Sequence, residues 1–200
     1  MSQSKIAIII GSTRANRFSE RPAQWLFEQA KADGRARFEL VDLRDHPLPF
    51  FDEPMPPVMQ APQGAEAVRW ANKLAEYDGY VFTIAEYNHG LPGVLKNAVD
   101  YGSLQFGRKP AAFVGYGGTG AARSIEQARL LMAAVGAAPM RFTVNVGMAE
   151  FMGMLTQGKD FSDYPYLAQS AQTLLDELIW WADTLKAGRT SAGQLEAMRS

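Results

Sequence analysis

The sequence predicts a three-layer α/β fold in which helices cover both faces of a five-stranded parallel sheet. Short runs rich in apolar and β-branched residues occur five times along the chain, as expected for strands of such a sheet. Segments with apolar residues at i, i+3, i+4 and i+7 alternate with these runs and indicate amphipathic helices. No internal repeat interrupts this alternation.

The predicted elements follow one another in a regular order. The first strand, 5–10 (KIAIII), is almost entirely apolar, as in a strand buried on both faces, and Gly11 ends it. The five predicted strands are 5–10, 37–43, 79–84, 110–115 and 139–146. The helices are marked by apolar series that begin at Ala23, Ala67, Leu91, Ala128 and Leu167, and the last helix covers about 164–186.

Length, charge and cysteine content exclude several classes of function. The chain has 200 residues, 47% apolar and 20% charged, and we expect a single domain over residues 1–200. A net charge of −1 argues against nucleic acid or an anionic membrane as partner. Because cysteine is absent, there are no disulfides and no thiol redox chemistry, so any redox function needs a cofactor.

Metal binding and membrane insertion are likewise not indicated. The chain has two histidines and no compact acidic cluster, so no metal site is predicted. No apolar run approaches the about 20 residues of a membrane span. The apolar run at the N-terminus is short and lacks a signal-peptide cleavage pattern, so we expect a cytoplasmic protein.

In a sheet of this type, ligands bind beyond the carboxyl ends of the strands, where the strand order reverses. The loop after the first strand, 11–19, reads Gly-Ser-Thr-Arg-Ala-Asn-Arg-Phe-Ser. It leads into a helix N-terminus, whose unpaired N–H groups and positive dipole end favour a phosphate. Its side-chain donors are Ser12, Thr13, Arg14, Arg17 and Ser19. A monophosphate would suit this loop, although an ordinary helix cap with two solvated arginines is the alternative.

The loop after the third strand places Glu86, Tyr87, Asn88 and His89 at one strand end. Polar groups crowded there could line the edge of a planar ring, with Tyr87 beside it. The alternative is a simple turn capped by Asn88. Because no carboxylate partner for His89 can be identified in the sequence, the sequence favours a positioned loop residue over a general base.

The loop after the fourth strand, 115–120, reads Gly-Tyr-Gly-Gly-Thr-Gly and formally matches GxGxxG. The acidic residue expected about 20 positions later in a dinucleotide site is missing. The glycines therefore indicate a backbone that a flat ring could approach closely, or else only a tight turn.

Together these loops resemble the NADPH-dependent FMN reductase family, a flavodoxin-like group that includes quinone, azo and chromate reductases. The resemblance covers residues 5–150, and four segments carry it: 11–14 (GSTR), 86–88 (EYN), 95–101 (LKNAVDY) and 115–118 (GYGG). It implies that the FMN phosphate and ribityl chain are surrounded by Ser12, Arg14, Arg17, Phe18 and Ser19. It implies that the isoalloxazine ring is held by Glu86, Tyr87, Asn88, Gly117 and Gly118.

This sequence departs from the family pattern at three positions. Ala85 stands where the family usually has proline, Arg17 where many members have serine, and Ser19 where many have asparagine. These differences concern the rigidity of the loop after the third strand and the identity of the phosphate ligands.

The resemblance also implies an activity. NAD(P)H would reduce bound FMN, and a small acceptor such as a quinone, azo compound, flavin or metal oxyanion would then be reduced in the same place. No protein acid or base is obligatory for such chemistry, so no catalytic residue is assigned. The family commonly forms homodimers or homotetramers, and the apolar segment 48–57 could wall the acceptor pocket or pack against a partner chain.

Two other functions remain open on the sequence alone. A flavodoxin-type carrier would bind FMN but receive electrons from a protein, although such carriers are usually strongly acidic and this chain is not. A non-catalytic protein that binds a phosphorylated ligand would use only the first loop and would leave the other two unexplained.

Overall fold

The sheet contains five parallel strands in the order β2-β1-β3-β4-β5. A computed structural model describes residues 3–197, so residues 1, 2 and 198–200 of the predicted domain lie outside the described residues. The strands are β1 (Lys5–Ile10), β2 (Arg37–Asp42), β3 (Gly79–Ala85), β4 (Pro110–Tyr116) and β5 (Ala138–Val146). This order is that of the flavodoxin-like fold, and the predicted fold class is confirmed.

Among the described residues, six α-helices surround the sheet, one more than the sequence predicts. They are α1 (Glu20–Asp33), α2 (Ala65–Ala75), α3 (Gly93–Tyr101), α4 (Ala122–Ala134), α5 (Met148–Thr156) and α6 (Pro165–Ala197). The unpredicted helix, α5, begins directly after β5, and its N-cap residue Gly147 supplies no side-chain cap. Because a cap signal is missing, the sequence does not predict a helix start there.

Helix α6 continues well beyond the predicted end at 186. Arg189 explains the extension, because its guanidinium donates to Asp78 and to the Arg108 carbonyl at 2.8 and 2.7 Å. These contacts attach the added turns to the amino-terminal edge of the sheet. No helix within residues 3–197 combines the length and the apolar character needed to cross a bilayer.

The sheet separates two apolar cores, and successive side chains of β1 alternate between them. Ile6, Ile8 and Ile10 pack in the core beneath α1 and α6. Ala7 and Ile9 pack in the core beneath α2, α3 and α4. A strand with buried side chains on both faces must be apolar throughout, which accounts for the uninterrupted run in its sequence.

The topology brings three loops together at one edge. Strand β1 pairs with β2 on one side and with β3 on the other, so the strand order reverses beside β1. Because β1, β3 and β4 are neighbours and parallel, their carboxyl ends lie at the same edge of the sheet. The three loops singled out in the sequence therefore form one continuous surface.

Candidate functional site

The loop after β1 presents a row of backbone N–H groups that the protein itself does not use. Within residues 3–197, the amides from Ser12 to Asn16 donate to no protein acceptor. Gly11 fixes the start of the loop, since its N–H donates to the Thr83 carbonyl of β3 at 3.1 Å. A Cβ at Gly11 would lie 2.5 Å from that carbonyl oxygen, so only glycine permits this approach. The loop thus leaves consecutive donors available for an anion.

The N-terminus of α1 adds a buried hydroxyl to these amides. Ser19 is the N-cap residue and is fully buried, yet its side chain makes no capping hydrogen bond. Its Oγ has no hydrogen-bond partner in the described structure. A buried hydroxyl without a partner at a positive helix end fits an anionic ligand. Arg14 lies in the same loop and is exposed, and within the described part of the chain its guanidinium makes only a 3.5 Å contact with the Asn16 carbonyl.

Arg17 is placed differently from Arg14. Its side chain is 1% exposed and forms ion pairs with Asp42 at the end of β2 and with Glu20. It also donates to the Ser12 carbonyl. Burial alone would lower the pKa of Arg17, but the bonds to the two carboxylates outweigh it and raise that pKa. The Arg17 guanidinium is therefore bonded to groups of the protein itself, and these bonds stabilise the conformation of the loop.

Arg44 supports the same loop from outside. Its guanidinium donates to the carbonyls of Arg14 and Ala15 at 2.6 and 3.1 Å and to Glu20 at 3.1 Å. Sequence reasoning missed both Arg44 and Asp42. Their signal was available, because charged residues at the carboxyl end of a strand next to β1 face the same edge as its loop.

The Phe18 ring lies in the apolar core. It is 4% exposed, and its centroid lies 5.3 Å from that of Tyr116 and 4.8 Å from that of Phe151. Phe18 therefore anchors the end of the loop between β4 and α5. Its side chain is not among the groups at the surface of the site.

The loop after β3 forms a tight turn with an unusual backbone. Asn88 and His89 have φ values of 50° and 66°, and the flanking residues exchange two backbone hydrogen bonds, Tyr87 N–H to Gly90 O at 3.0 Å and Gly90 N–H to Tyr87 O at 2.9 Å. Positive φ at both central residues is the requirement of a type I′ turn. The amides of Asn88 and His89 donate to no acceptor within residues 3–197.

The Tyr87 side chain connects this turn to the loop after β1. Its hydroxyl lies 3.2 Å from the Ser12 hydroxyl, while the ring is 39% exposed. Asn88 and His89 are exposed. The His89 imidazole pairs with no carboxylate in the described part of the chain.

Glu86 faces the other neighbouring loop. Its carboxylate, 7% exposed, pairs with Arg123 at the start of α4 and accepts from the Thr119 hydroxyl at 3.3 Å. Burial would raise the pKa of Glu86, but the hydrogen bonds from Arg123 outweigh it and hold that pKa below its ordinary value. Glu86 thus joins the loops after β3 and β4, and sequence reasoning did not identify its partner.

The loop after β4 keeps its backbone open. Gly117 has φ of 120°, a conformation that other residues rarely adopt, and a Cβ there would meet nothing within 4 Å. The amides of Gly118 and Thr119 are not donated to protein acceptors within residues 3–197. A Cβ at Gly118 would lie 3.7 Å from the Met148 Cε. Helix α5, which the sequence did not predict, therefore borders this loop.

Comparison with known proteins agrees with this geometry. Residues 4–151 match the model of the NADPH-dependent FMN reductase family. The chain belongs to this family, so the resemblance found in the sequence is confirmed.

Individual relatives carry related names. An NAD(P)H-dependent FMN reductase of Schizosaccharomyces pombe is 39% identical over 118 residues, 58% of this chain and 59% of that protein. A 2-hydroxy-1,4-benzoquinone reductase of Burkholderia sp is 34% identical over 118 residues, 56% of this chain and 59% of that protein. The match thus spans about three fifths of the length of each of these two relatives.

The fold is shared with solved flavoenzymes. The flavoenzyme NAD(P)H:(acceptor) oxidoreductase of Paracoccus denitrificans superposes with a TM-score of 0.68 over 90% of this chain and 98% of that one. At 21% sequence identity, this similarity establishes the shared fold.

Proposed function

We propose that the protein is an NAD(P)H-dependent oxidoreductase that holds FMN at the carboxyl edge of β1, β3 and β4. One observation carries the proposal: three adjacent loops each present backbone N–H groups that no protein acceptor within residues 3–197 takes up. A molecule with a phosphate at one end and a ring rich in acceptors at the other matches this distribution of donors. Membership of the FMN reductase family supports FMN as that molecule.

The loop after β1 would hold the phosphate. Its free amides, the Ser12 and Ser19 hydroxyls and the Arg14 guanidinium together supply neutral and charge-assisted donors. Arg17 and Phe18 would support the phosphate site indirectly. Arg17 fixes the loop backbone, and Phe18 anchors the loop in the core. The phosphate would therefore be neutralised mainly by Arg14 and by the helix dipole.

The other two loops would hold the ring. The amides of Asn88 and His89 and those of Gly118 and Thr119 are available to ring carbonyl and nitrogen acceptors. The open space above Gly117 allows a flat group to lie against the backbone. Glu86 does not approach the ring as a free carboxylate, since Arg123 neutralises it and fixes the distance between the loops.

When bound, FMN would supply the redox chemistry that links NAD(P)H to an acceptor. The chain's own residues bind and orient, and no histidine–carboxylate pair within residues 3–197 adds a general base at the site. A small planar acceptor such as a quinone, azo compound or flavin, or a metal oxyanion, fits this proposal. The quinone class has the support of a relative named as a benzoquinone reductase.

The proposal includes a homodimer, with a homotetramer as the larger alternative, and the connection between β2 and α2 supports it. Phe50 is 90% exposed, yet its backbone is fixed on both sides: Asn97 donates to the Pro49 carbonyl at 2.7 Å and accepts from the Phe51 N–H at 3.0 Å. An exposed aromatic side chain on a backbone that is fixed in this way suits an interface anchor. Met55, Val58 and Met59 extend the same exposed apolar segment.

The test is the visible spectrum of protein mixed with FMN, desalted and then given NADPH without oxygen. Retained flavin absorbance that bleaches within seconds is the expected result. Flavin that is retained but does not bleach would instead support a carrier that receives electrons from a protein. If no flavin is retained, the FMN site is refuted, and binding of inorganic phosphate would then test the phosphorylated-ligand alternative.

A pair of matched variants localises the phosphate. Arg14→Ala should weaken FMN affinity about tenfold, the effect of losing a charge-assisted hydrogen bond. Arg37→Ala removes an exposed arginine at the opposite end of the sheet and should leave affinity unchanged. Equal effects of the two variants would contradict the placement of the phosphate.

A further inference from the structure

The turn at 87–90 is held from one side by α4. Gln127 donates from Nε2 to the His89 carbonyl at 2.9 Å, and Ser124 donates to the Gly90 carbonyl at 2.5 Å. Both side chains lie in the first turns of α4 and face the loop after β3. The two carbonyls they bond belong to the second half of the turn.

These contacts act on a backbone conformation that is costly to maintain. Two consecutive residues other than glycine have positive φ, although asparagine and histidine tolerate this better than most. Gln127 is itself exposed, but its amide lies beside the turn, since a Cβ at Gly90 would lie 3.4 Å from its Oε1. Ser124 is fully buried, so its hydroxyl has no competing contact with water.

We propose that Gln127, together with Ser124, is a positioning residue that holds the 87–90 turn in its left-handed conformation and so presents the Asn88 and His89 amides to the cofactor. This inference rests on the proposed function for the identity of the ligand. Gln127 and Ser124 belong to α4 and not to any of the three loops, yet their side chains would position the loop after β3. Arg123, the neighbour of Ser124, ties Glu86 in the same way, so three α4 side chains fix the segment from Glu86 to Gly90.

The experiment compares Gln127→Ala with Gln169→Ala, an exposed glutamine on α6 whose side chain makes no hydrogen bond within residues 3–197. Gln127→Ala should raise the FMN dissociation constant about three- to tenfold, the range of one lost hydrogen bond. Amide exchange at Tyr87 and Gly90 in FMN-free protein should accelerate as well. Gln169→Ala should change neither quantity.

A second substitution separates positioning from general damage to α4. His89→Gly places a glycine directly after Asn88, and an asparagine–glycine pair adopts a type I′ turn without the strain of a Cβ at the second position. Gln127→Ala should therefore cost less FMN affinity in the His89→Gly background than in the wild type. A loss of the same size in both backgrounds would overturn the proposal, because a merely destabilised helix would not be relieved by an easier turn.

Failure of this inference is distinguishable from failure of the proposed function. Wild-type protein that binds FMN while Gln127→Ala binds it equally well refutes the positioning role alone. Wild-type protein that does not bind FMN refutes the proposed function, and unchanged amide exchange in Gln127→Ala then refutes the positioning of the turn independently.

Discussion

Arg17 and Asp42 form an ion pair that joins the loop after β1 to the carboxyl end of β2. The Arg17 side chain is 1% exposed and that of Asp42 is 25% exposed. Burial would raise the pKa of Asp42, but the hydrogen bonds from Arg17 and from the Arg44 N–H keep it below its ordinary value. The pair therefore stabilises the conformation of a loop whose amides remain free for a ligand.

Replacing Arg17 with methionine should destabilise the fold by about 2–4 kcal/mol, because Asp42 is left partly buried without its partner. Denaturant unfolding measures this change, and Arg14→Ala serves as the control with an unchanged midpoint. If Arg17→Met instead unfolds like the wild type and loses only FMN affinity, Arg17 belongs to the phosphate site, as the sequence resemblance implies.

Gly117→Ala should weaken FMN affinity by more than tenfold, because the methyl group would enter the space proposed for the ring. It should also destabilise the protein by about 1–2 kcal/mol, because φ of 120° strains any residue other than glycine. Gly34 is the matched control, with φ of 72° and nothing within 4 Å of an added Cβ, at the C-terminal end of α1. Gly34→Ala should destabilise comparably and leave FMN affinity unchanged. Titration of FMN fluorescence together with thermal unfolding distinguishes the two effects.

Phe50→Glu should convert the proposed dimer into a monomer, because a charge within the proposed apolar contact would be desolvated without a partner. Light scattering at micromolar concentration reports the mass. Leu130→Glu provides the comparison, since Leu130 is 75% exposed on α4 and lies outside the segment held by Asn97. A wild-type protein that is already monomeric would refute the dimer.

Lys109→Met should stabilise the fold at pH 7 by about 1–2 kcal/mol. Burial lowers the pKa of Lys109 to about 8, assisted by Arg189 and opposed by Asp78. Its ammonium group donates to the Tyr80 hydroxyl at 3.0 Å and lies 3.4 Å from the Leu74 carbonyl.

The sign of the pH dependence follows from the lowered pKa. Below about pH 8 the amine is charged in both states, and the folded state bears the full cost of burying it. Between about pH 8 and 10.4 the folded protein releases its proton first, so the stability of the wild type approaches that of the variant. Unfolding at pH 7 and about 9.5 measures the difference, with Lys31→Met as the exposed control. An advantage of Lys109→Met that does not shrink at the higher pH would contradict the lowered pKa.

Strands β1, β3 and β4 were predictable because burial on both faces imposes an apolar sequence that needs no knowledge of neighbours. Helix α5 was not predictable in this way. Met148, Met152 and Leu155 leave an apolar stripe exposed to solvent, and Gly147 gives no cap, so neither its polarity pattern nor its start resembles that of a surface helix. The apolar series could have been found by helical spacing alone, without a cap signal.

The donors of the site were only partly predictable. The sequence identifies Arg14 and Arg17 as equivalent cations five residues or less from Ser12, and nothing local separates them. The structure separates them through Asp42 of β2, which lies 25 residues from Arg17 in the chain and next to it in space. The sequence likewise places Glu86 among the polar groups of the proposed site, whereas in the structure its ion pair with Arg123 of α4 links two loops.

The sequence by itself determined the fold class, the family and the three loops that line the proposed site, because these depend on apolar periodicity and on residue types at fixed spacing. Only the tertiary structure decided which groups of those loops remain available to a ligand. Hydrogen-bonding capacity is limited, and a guanidinium or carboxylate satisfied by a distant element is lost to the ligand. That assignment depends on side chains from β2 and α4 that approach the loops only once the sheet has formed.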